Sequence, residues 1–263
     1  MDTDVDTVAV LCFPFAGAGA SAFRRCREYP ADALRICPVQ LPGREERFDE
    51  PPYDDVSHAA VDLMPEVLEL IGGSPRVALF GHSLGAVLAY EMAHQLVQID
   101  GLPVAQLFVS GSPGPWTRRP RRATGLSDEE FLRRVREFAG YTHPALEHPE
   151  LRELLLPTLR ADVAMHEDYL APSDKRLPAP ITSIRGTADE LVSAEQSAEW
   201  AAATSRGWRA VELPGNHMYL VDSPAELVRL MAGVLAEAAR SDSARSDSAR
   251  SESARSESAP CTP

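Results

Sequence analysis

The sequence predicts an α/β domain built on a mostly parallel β-sheet with helices on both faces. Three observations predict it. Short apolar runs recur at 8–13, 34–39, 77–80, 106–109, 181–184 and 210–213, each of strand length. Most are separated by stretches with helical spacing, and strand–helix alternation of this kind gives parallel strands covered on both sides. A chain of 263 residues, 44% hydrophobic and 25% charged, is long enough to bury one large core.

The elements follow in order. "VAVLCF" at 8–13 is a buried strand that ends in the small-residue loop "PFAGAGASAF". A second strand at 34–39 and a helix at 56–70 lead to "VALF" at 77–80, which runs through "GHSLG" into an apolar helix at 84–97. After the strand at 106–109, residues 114–178 hold no convincing strand but two helical patterns. "SDEEFLRRVREFAG" opens with a capping box of Ser127 and Glu130, and "PELRELLLPTLRADVAMHEDYL" is expected to break at Pro157. An all-helical insertion in such a domain is expected to form a lid over the active face. Strands at 181–184 and 210–213, with helices at 194–203 and 225–239, complete a domain expected to span 1–239.

Beyond it, "RSDSARSDSARSESARSESA" at 240–259 repeats every five residues, with four Arg, four acids and nothing apolar larger than Ala. Such a segment cannot bury enough surface to offset its chain entropy, so 240–263 is expected to be a disordered tail. Its charges cancel, so the whole formal charge of -13 falls on the domain. That charge argues against nucleic acid and anionic membranes as partners. No apolar run can span a bilayer and the N-terminus is acidic, so a cytoplasmic protein is expected. Cys12, Cys26, Cys37 and Cys261 are irregularly spaced without a CxxC pair, which suggests neither a metal site nor a disulfide framework; no cofactor is expected.

The chemistry centres on Gly81-His82-Ser83-Leu84-Gly85. A serine between such glycines sits on a sharp strand-to-helix turn that lifts its Oγ above the sheet. A serine nucleophile needs a base, and the base needs an orienting carboxylate. In this arrangement the chain order is Ser, acid, His, each on a loop after a later strand. "PITSIRGTADELV" supplies Asp189 and "AVELPGNHMYLVDSP" supplies His217. Glu190 and Asp222 compete for the orienting role, but Glu190 lies past the turn and Asp222 follows the histidine. The catalytic residues are therefore Ser83, Asp189 and His217. The oxyanion of a tetrahedral intermediate needs two N–H donors; the backbone of Leu84, at a helix N-terminus, and of Ala16, in the loop after the first strand, are expected to supply them. His82 is expected to point away from Ser83, His58 and His94 to pack or face solvent, and His143, His148 and His166 to lie on a solvated face of the insertion.

Taken together, "LCFPFAGAGASAF", "VQLPGREERF", "VALFGHSLGAVLAYEMA", "LFVSGSPGP", "LRADVAMHEDY", "ITSIRGTADELV" and "LPGNHMYL" resemble the free-standing type II thioesterases of polyketide and nonribosomal peptide synthesis, a branch of the α/β-hydrolases. The resemblance spans nearly all of 8–235. It implies hydrolysis of acyl groups from the phosphopantetheine thiol of acyl or peptidyl carrier proteins, an editing activity, without a cofactor or metal. It assigns Ser83, Asp189 and His217 to the triad and Ala16 and Leu84 to the oxyanion hole. Phe15 stands where the family usually has His, and "GNHMY" replaces Gly-Gly-His-Phe-Phe, changes that bear on the acyl pocket. An esterase, lipase or acyltransferase would use the same triad, and a non-catalytic hydrolase-like binding protein is a third alternative.

Carrier proteins are commonly acidic, as the resemblance implies, so a chain of charge -13 must relieve repulsion locally. Arg118, Arg119, Arg121 and Arg122 form the densest basic cluster, at the entrance to the insertion, and are expected to receive an acidic carrier or its pantetheine phosphate. Arg44 and Arg47 are expected on the same face. The enzyme is expected to meet its carrier transiently, as a monomer.

Overall fold

The structure, a computed structural model, describes residues 7–29, 33–119, 122–139 and 144–257. Six strands, β1 (Val8–Phe13), β2 (Leu34–Pro38), β3 (Val77–His82), β4 (Val104–Ser110), β5 (Ile181–Gly186) and β6 (Trp208–Leu213), make one parallel sheet in the order β2-β1-β3-β4-β5-β6. The chain steps from β1 outward to β2 and then returns to place β3 on the other side of β1. Connections leaving the carboxyl ends of β1 and β3 diverge there, which opens a crevice at that edge.

Alternation along each strand feeds two cores. Ala9, Leu11 and Phe13 join Leu79 and Leu107 beneath α1 (Val56–Asp62), α2 (Met64–Ile71) and α3 (Leu84–Leu96). Val8, Val10 and Cys12 join Ala78, Phe80 and Phe108 beneath Leu227, Val228, Met231 and Val234 of the last helix. The period of two puts successive side chains on opposite faces, so a strand buried on both reads as a continuous apolar run. The predicted helix at 56–70 is two helices that meet at Leu63, with Pro65 in the first turn of the second, where its missing N–H costs nothing. The predicted helix at 194–203 is α6 (Ala194–Ala198), opened by a capping box of Ser193 with Gln196, followed by a 3-10 turn over Glu199–Ala203.

Between β4 and β5 lie α4 (Asp128–Ala139) and α5 (Pro149–Asp168), which share a small core of Phe131, Leu132, Leu146, Leu156 and Leu159. The Ser127 hydroxyl donates to Glu130 at 2.9 Å and accepts its N–H at 3.4 Å, capping α4. The expected break at Pro157 does not occur. α5 runs through it for 20 residues, because Pro157 and Glu153, whose carbonyl loses its partner, both lie on the exposed side. The chain ends with α7 (Tyr219–Asp222) and α8 (Pro224–Glu257).

The expectation of a structureless segment from residue 240 differs from the structure, in which α8 continues as helix to Glu257. The repeat contains neither Gly nor Pro up to that point, and Asp242, Asp247 and Glu252 each precede an Arg by three residues, a spacing that supports a helix. Among the side chains of α8 described, which end at Ser241, the last one buried is Leu235. Among the described residues no helix is long and apolar enough to cross a membrane.

Candidate active site

Ser83 stands alone between β3 and α3, with φ 54° and ψ -114°. It is one of two non-glycine residues at positive φ among those described, a conformation that costs free energy and marks a constrained turn. Both flanking glycines are required by close approach. A Cβ on Gly81 would lie 1.9 Å from the Gly85 carbonyl oxygen, and one on Gly85 would lie 2.1 Å from that of Phe13. The Ser83 N–H donates to the Ser110 carbonyl at 2.8 Å, which ties the turn to β4. Its side chain is left partly open and makes no cap with α3.

Asp189 and His217 come from the loops after β5 and β6, which are fastened to each other. Thr187 N–H donates to the Leu213 carbonyl at 2.9 Å and Ala188 N–H to that of Gly215 at 2.8 Å. A Cβ on Gly186 would lie 2.2 Å from the Asn216 carbonyl oxygen, so the loops close only around a glycine. Asp189 Oδ2 lies 2.9 Å from His217 Nδ1, while Oδ1 accepts the N–H groups of Leu191 at 2.9 Å and Val192 at 3.1 Å. Burial pushes the Asp189 carboxyl up, but the hydrogen bond and charge of His217 and the two backbone donors outweigh it and hold the group below its ordinary range. An ionised carboxylate only accepts, so Nδ1 carries the proton and Nε2 keeps its lone pair. Glu190 is exposed and Asp222 ends α7, so of the three competing acids it is Asp189 that meets His217.

His82 does more than sequence reasoning expects of it. Its ring is fully buried and packs at 4.8 Å, centroid to centroid, on the ring of His217. Nδ1 lies 2.9 Å from Ser110 Oγ, which lies 2.6 Å from the Tyr219 hydroxyl. Burial, and next the neighbouring His217, hold His82 well below the usual imidazole range, so it is a neutral wall behind His217. Gly111 leaves room for this pair, since a Cβ there would lie 2.6 Å from His82 Cε1 and 2.9 Å from His217 Cε1. The strand alternation that sets Ala78, Phe80 and His82 on one face was the available signal.

The loop after β1 is held from the insertion. Gly17, at φ +78°, donates its N–H to Asp162 Oδ2 of α5 at 2.7 Å, and a Cβ on it would lie 2.8 Å from Leu159 of the same helix. Arg44 grips Asp162 with both terminal nitrogens, at 2.5 and 2.9 Å, and reaches the Ala18 carbonyl at 3.2 Å. Arg44, expected on the active face with Arg47, is 5% exposed and Asp162 fully buried, so its guanidinium is turned inward. Arg47 is half-buried and pairs with Glu50 and Glu66. With the Gly17 N–H committed to Asp162, the preceding Ala16 faces the site. Leu84 begins α3, where first-turn N–H groups have no intrahelical partner.

A cavity of about 390 Å3 brings these groups together. Ser83, Asp189, His217 and Ala16 line it beside apolar Phe15 and Leu159. The insertion also contributes His166, expected on a solvated face. The residue is only partly covered, yet its Nε2 is enclosed without a hydrogen-bond partner among the described residues. Burial, then the charge of Arg119, hold His166 well below the usual range. His148 is exposed at the start of α5, as expected, and His143 lies outside the described residues. The structure divides the arginine cluster. Arg118 is exposed, Arg119 turns into the cavity wall, Arg122 pairs with Asp168 and lies 3.6 Å from Glu167, and Arg121 lies outside the described residues. Among the described residues no three His, Cys, Asp or Glu side chains gather as a metal site, and Cys12, Cys26 and Cys37 are free and buried.

A parallel sheet with a serine elbow, and with a histidine–aspartate pair on later loops at the same cavity, defines an α/β-hydrolase. The particular family follows from comparison: the thioesterase domain family matches residues 9–234, and the chain belongs to it. It is 31% identical to the gramicidin S biosynthesis protein GrsT of Aneurinibacillus migulanus over 235 residues, 88% of this chain and 91% of that one. It is 34% identical to the thioesterase PikA5 of Streptomyces venezuelae over 220 residues, 84% of this chain and 78% of the other. Among solved structures it is similar to YbtT, the type II thioesterase from the yersiniabactin NRPS/PKS biosynthetic pathway, at 28% identity and a TM-score of 0.77, covering 90% of this chain and 95% of that one. The protein is thus a thioesterase whose relatives work in peptide and polyketide antibiotic biosynthesis.

Proposed function

We propose that this thioesterase removes acyl groups from the phosphopantetheine thiol of acyl or peptidyl carrier proteins, as an editing enzyme of a polyketide or nonribosomal peptide pathway. The observation that carries the catalytic reading is the 2.9 Å bond between Asp189 and His217 at the cavity that Ser83 lines. Ser83 Oγ attacks the thioester carbonyl carbon while His217 Nε2 takes its proton. Negative charge moves to the carbonyl oxygen, where the N–H groups of Ala16 and Leu84 receive it, each donor worth about 2.7–4 kcal/mol of barrier. The C–S bond then breaks, and the thiol leaves with the proton that His217 holds. Water attacks the acyl-serine by the same route in reverse, giving up its proton to His217, and the free acid departs as Ser83 recovers its hydrogen. Asp189 keeps Nδ1 protonated throughout.

We read residues 1–239 as the functional domain, 114–178 as a lid over this cavity, and the protein as a cytoplasmic monomer that meets its carrier transiently. Exposed Arg118 and Arg122, with Arg121 between them in sequence, are the members of the cluster assigned to the carrier or its phosphate. Ser83→Ala tests the central claim. With an acyl-loaded carrier protein, release of the free acid should fall by a factor on the order of 10³ to 10⁶. A variant that retained a tenth of wild-type turnover would remove Ser83 from the mechanism.

A further inference from the structure

Arg119 is a cation lining the cavity to which the hydrolytic reading gives no task. Its guanidinium donates to two neutral oxygens only at the limit of hydrogen bonding, the Tyr169 carbonyl and Ser112 Oγ, both at 3.4 Å. Its Nε is enclosed with no hydrogen-bond partner among the described residues. Burial pulls its pKa down to about 10, which still leaves it charged at neutral pH. An enclosed cation is costly unless an anion meets it.

Of the carboxylates that line the same cavity, Glu167 and Asp189 are engaged by other donors and Glu190 is open to solvent. Glu167 accepts the N–H groups of Ala123 at 2.6 Å and Thr124 at 3.0 Å, and faces Arg122. Asp189 is spent on His217 and two backbone donors, and Glu190 is exposed. His166 lines the same cavity, and its Nε2 is likewise enclosed without a hydrogen-bond partner among the described residues. Two polar atoms at one cavity, Arg119 Nε and His166 Nε2, therefore lack a hydrogen-bond partner among the described residues, and one of them belongs to a cation.

We propose that Arg119, assisted by His166, is a specificity-determining subsite that binds a carboxylate carried on the acyl chain, so that thioesters of dicarboxylic acids are substrates. This rests on the reading of the cavity as the acyl site of the Ser83 hydrolase. The guanidinium fork suits a carboxylate in both charge and geometry. The pantetheine phosphate offers a similar oxyanion, but it sits at the far end of the arm from the reacting carbonyl, whereas Arg119 lines the same cavity as Ser83 and His217.

Matched pairs of N-acetylcysteamine thioesters, malonyl against propionyl and succinyl against butyryl, differ by a carboxylate in place of a methyl group and carry no phosphate. In Arg119→Gln, the ratio of kcat/KM for the carboxylated over the plain member should fall by about tenfold or more, and Arg119→Lys should restore part of it. A ratio that stays within about twofold of wild type in both pairs would overturn the proposal. So would a loss that appears only between phosphopantetheine and pantetheine thioesters of one acyl group, which would assign Arg119 to the arm. A binding measurement keeps the test open if the variants fold poorly. Ser83→Ala protein should bind the succinyl thioester about tenfold more tightly than the butyryl one by calorimetry, and equal or weaker binding would count against the subsite. Wild-type turnover of the plain thioesters that depends on Ser83 separates failure of this subsite from failure of the hydrolase itself.

Discussion

At the scale of single residues, the site depends on groups that cannot be exchanged for near neighbours. Gly81→Ala would push a methyl group to 1.9 Å from a carbonyl oxygen, so the elbow must open or the sheet must shift. The expected result is loss of thioester turnover together with a lower melting temperature. Asp189→Asn keeps the shape but offers His217 Nδ1 an amide in place of an acceptor-only carboxylate. The tautomer with a free Nε2 is no longer enforced, and kcat should fall by about 10⁴, measured on a soluble acyl thioester. Acid should also weaken the fold through the buried neutral histidines. His82 and His166 are held below the usual range by burial, so below about pH 6.5 the unfolded chain binds protons that the folded chain refuses. Stability is therefore fully present above that pH and declines as pH drops beneath it. Asp189 acts further down, losing its stabilising contribution only as pH falls through a folded value depressed below about 3.8. Chemical denaturation between pH 7 and 5 should show the first decline, and His166→Gln should flatten it.

At the scale of elements, α5 is more than a cover. One of its faces presents Thr158, Leu159 and Asp162 to the loops after β1 and β2. Thr158 Oγ1 donates to the Gly43 carbonyl at 2.9 Å, and Asp162 joins Gly17 to Arg44. Lifting this part of α5 would break a buried ion pair and free the loop that carries Ala16, so any opening of the insertion has its hinge outside this contact. Asp162→Ala leaves Arg44 buried without its counter-ion and should cost about 3–5 kcal/mol of stability, read by denaturant titration. The pair Arg44→Met with Asp162→Leu removes both charges and should recover most of that loss. Turnover should not recover with it, because the Gly17 N–H still lacks its acceptor.

For the whole molecule, the balance of burial ends before the chain does. The two large cores meet across the sheet, and among the described side chains of α8 the last buried one is Leu235. The repeat that follows extends the helix without adding apolar area, since its largest apolar residue is Ala. Deleting 240–263 should therefore leave the melting temperature and the kcat/KM for a small soluble thioester unchanged, and a drop in either would show that the repeat packs. The domain carries all of the -13 charge, so turnover of an acidic acyl-carrier substrate should rise with salt, as screening weakens the long-range repulsion, while a neutral soluble thioester stays indifferent.

What the sequence determined by itself is whatever short-range sterics and periodicity encode. Six apolar runs mark the strands, two glycines mark the elbow around Ser83, and the order of Ser83, Asp189 and His217 along the chain follows from the strands that precede them. Boundaries slipped where a local rule met a larger context, as when Pro157 sat harmlessly on the exposed side of α5. Tertiary structure alone decided the contacts between distant segments. Arg44 and Asp162 are 118 residues apart, and nothing in the sequence pairs them; only the fold buries them against each other. Arg119 looks like part of an exposed cluster until the packing of its loop against Tyr169 turns it into the cavity. His82 sits inside the motif, yet its place behind His217 depends on a loop more than a hundred residues later. Side-chain direction and charge pairing are set by which surfaces meet, and neighbours along the chain do not carry that information.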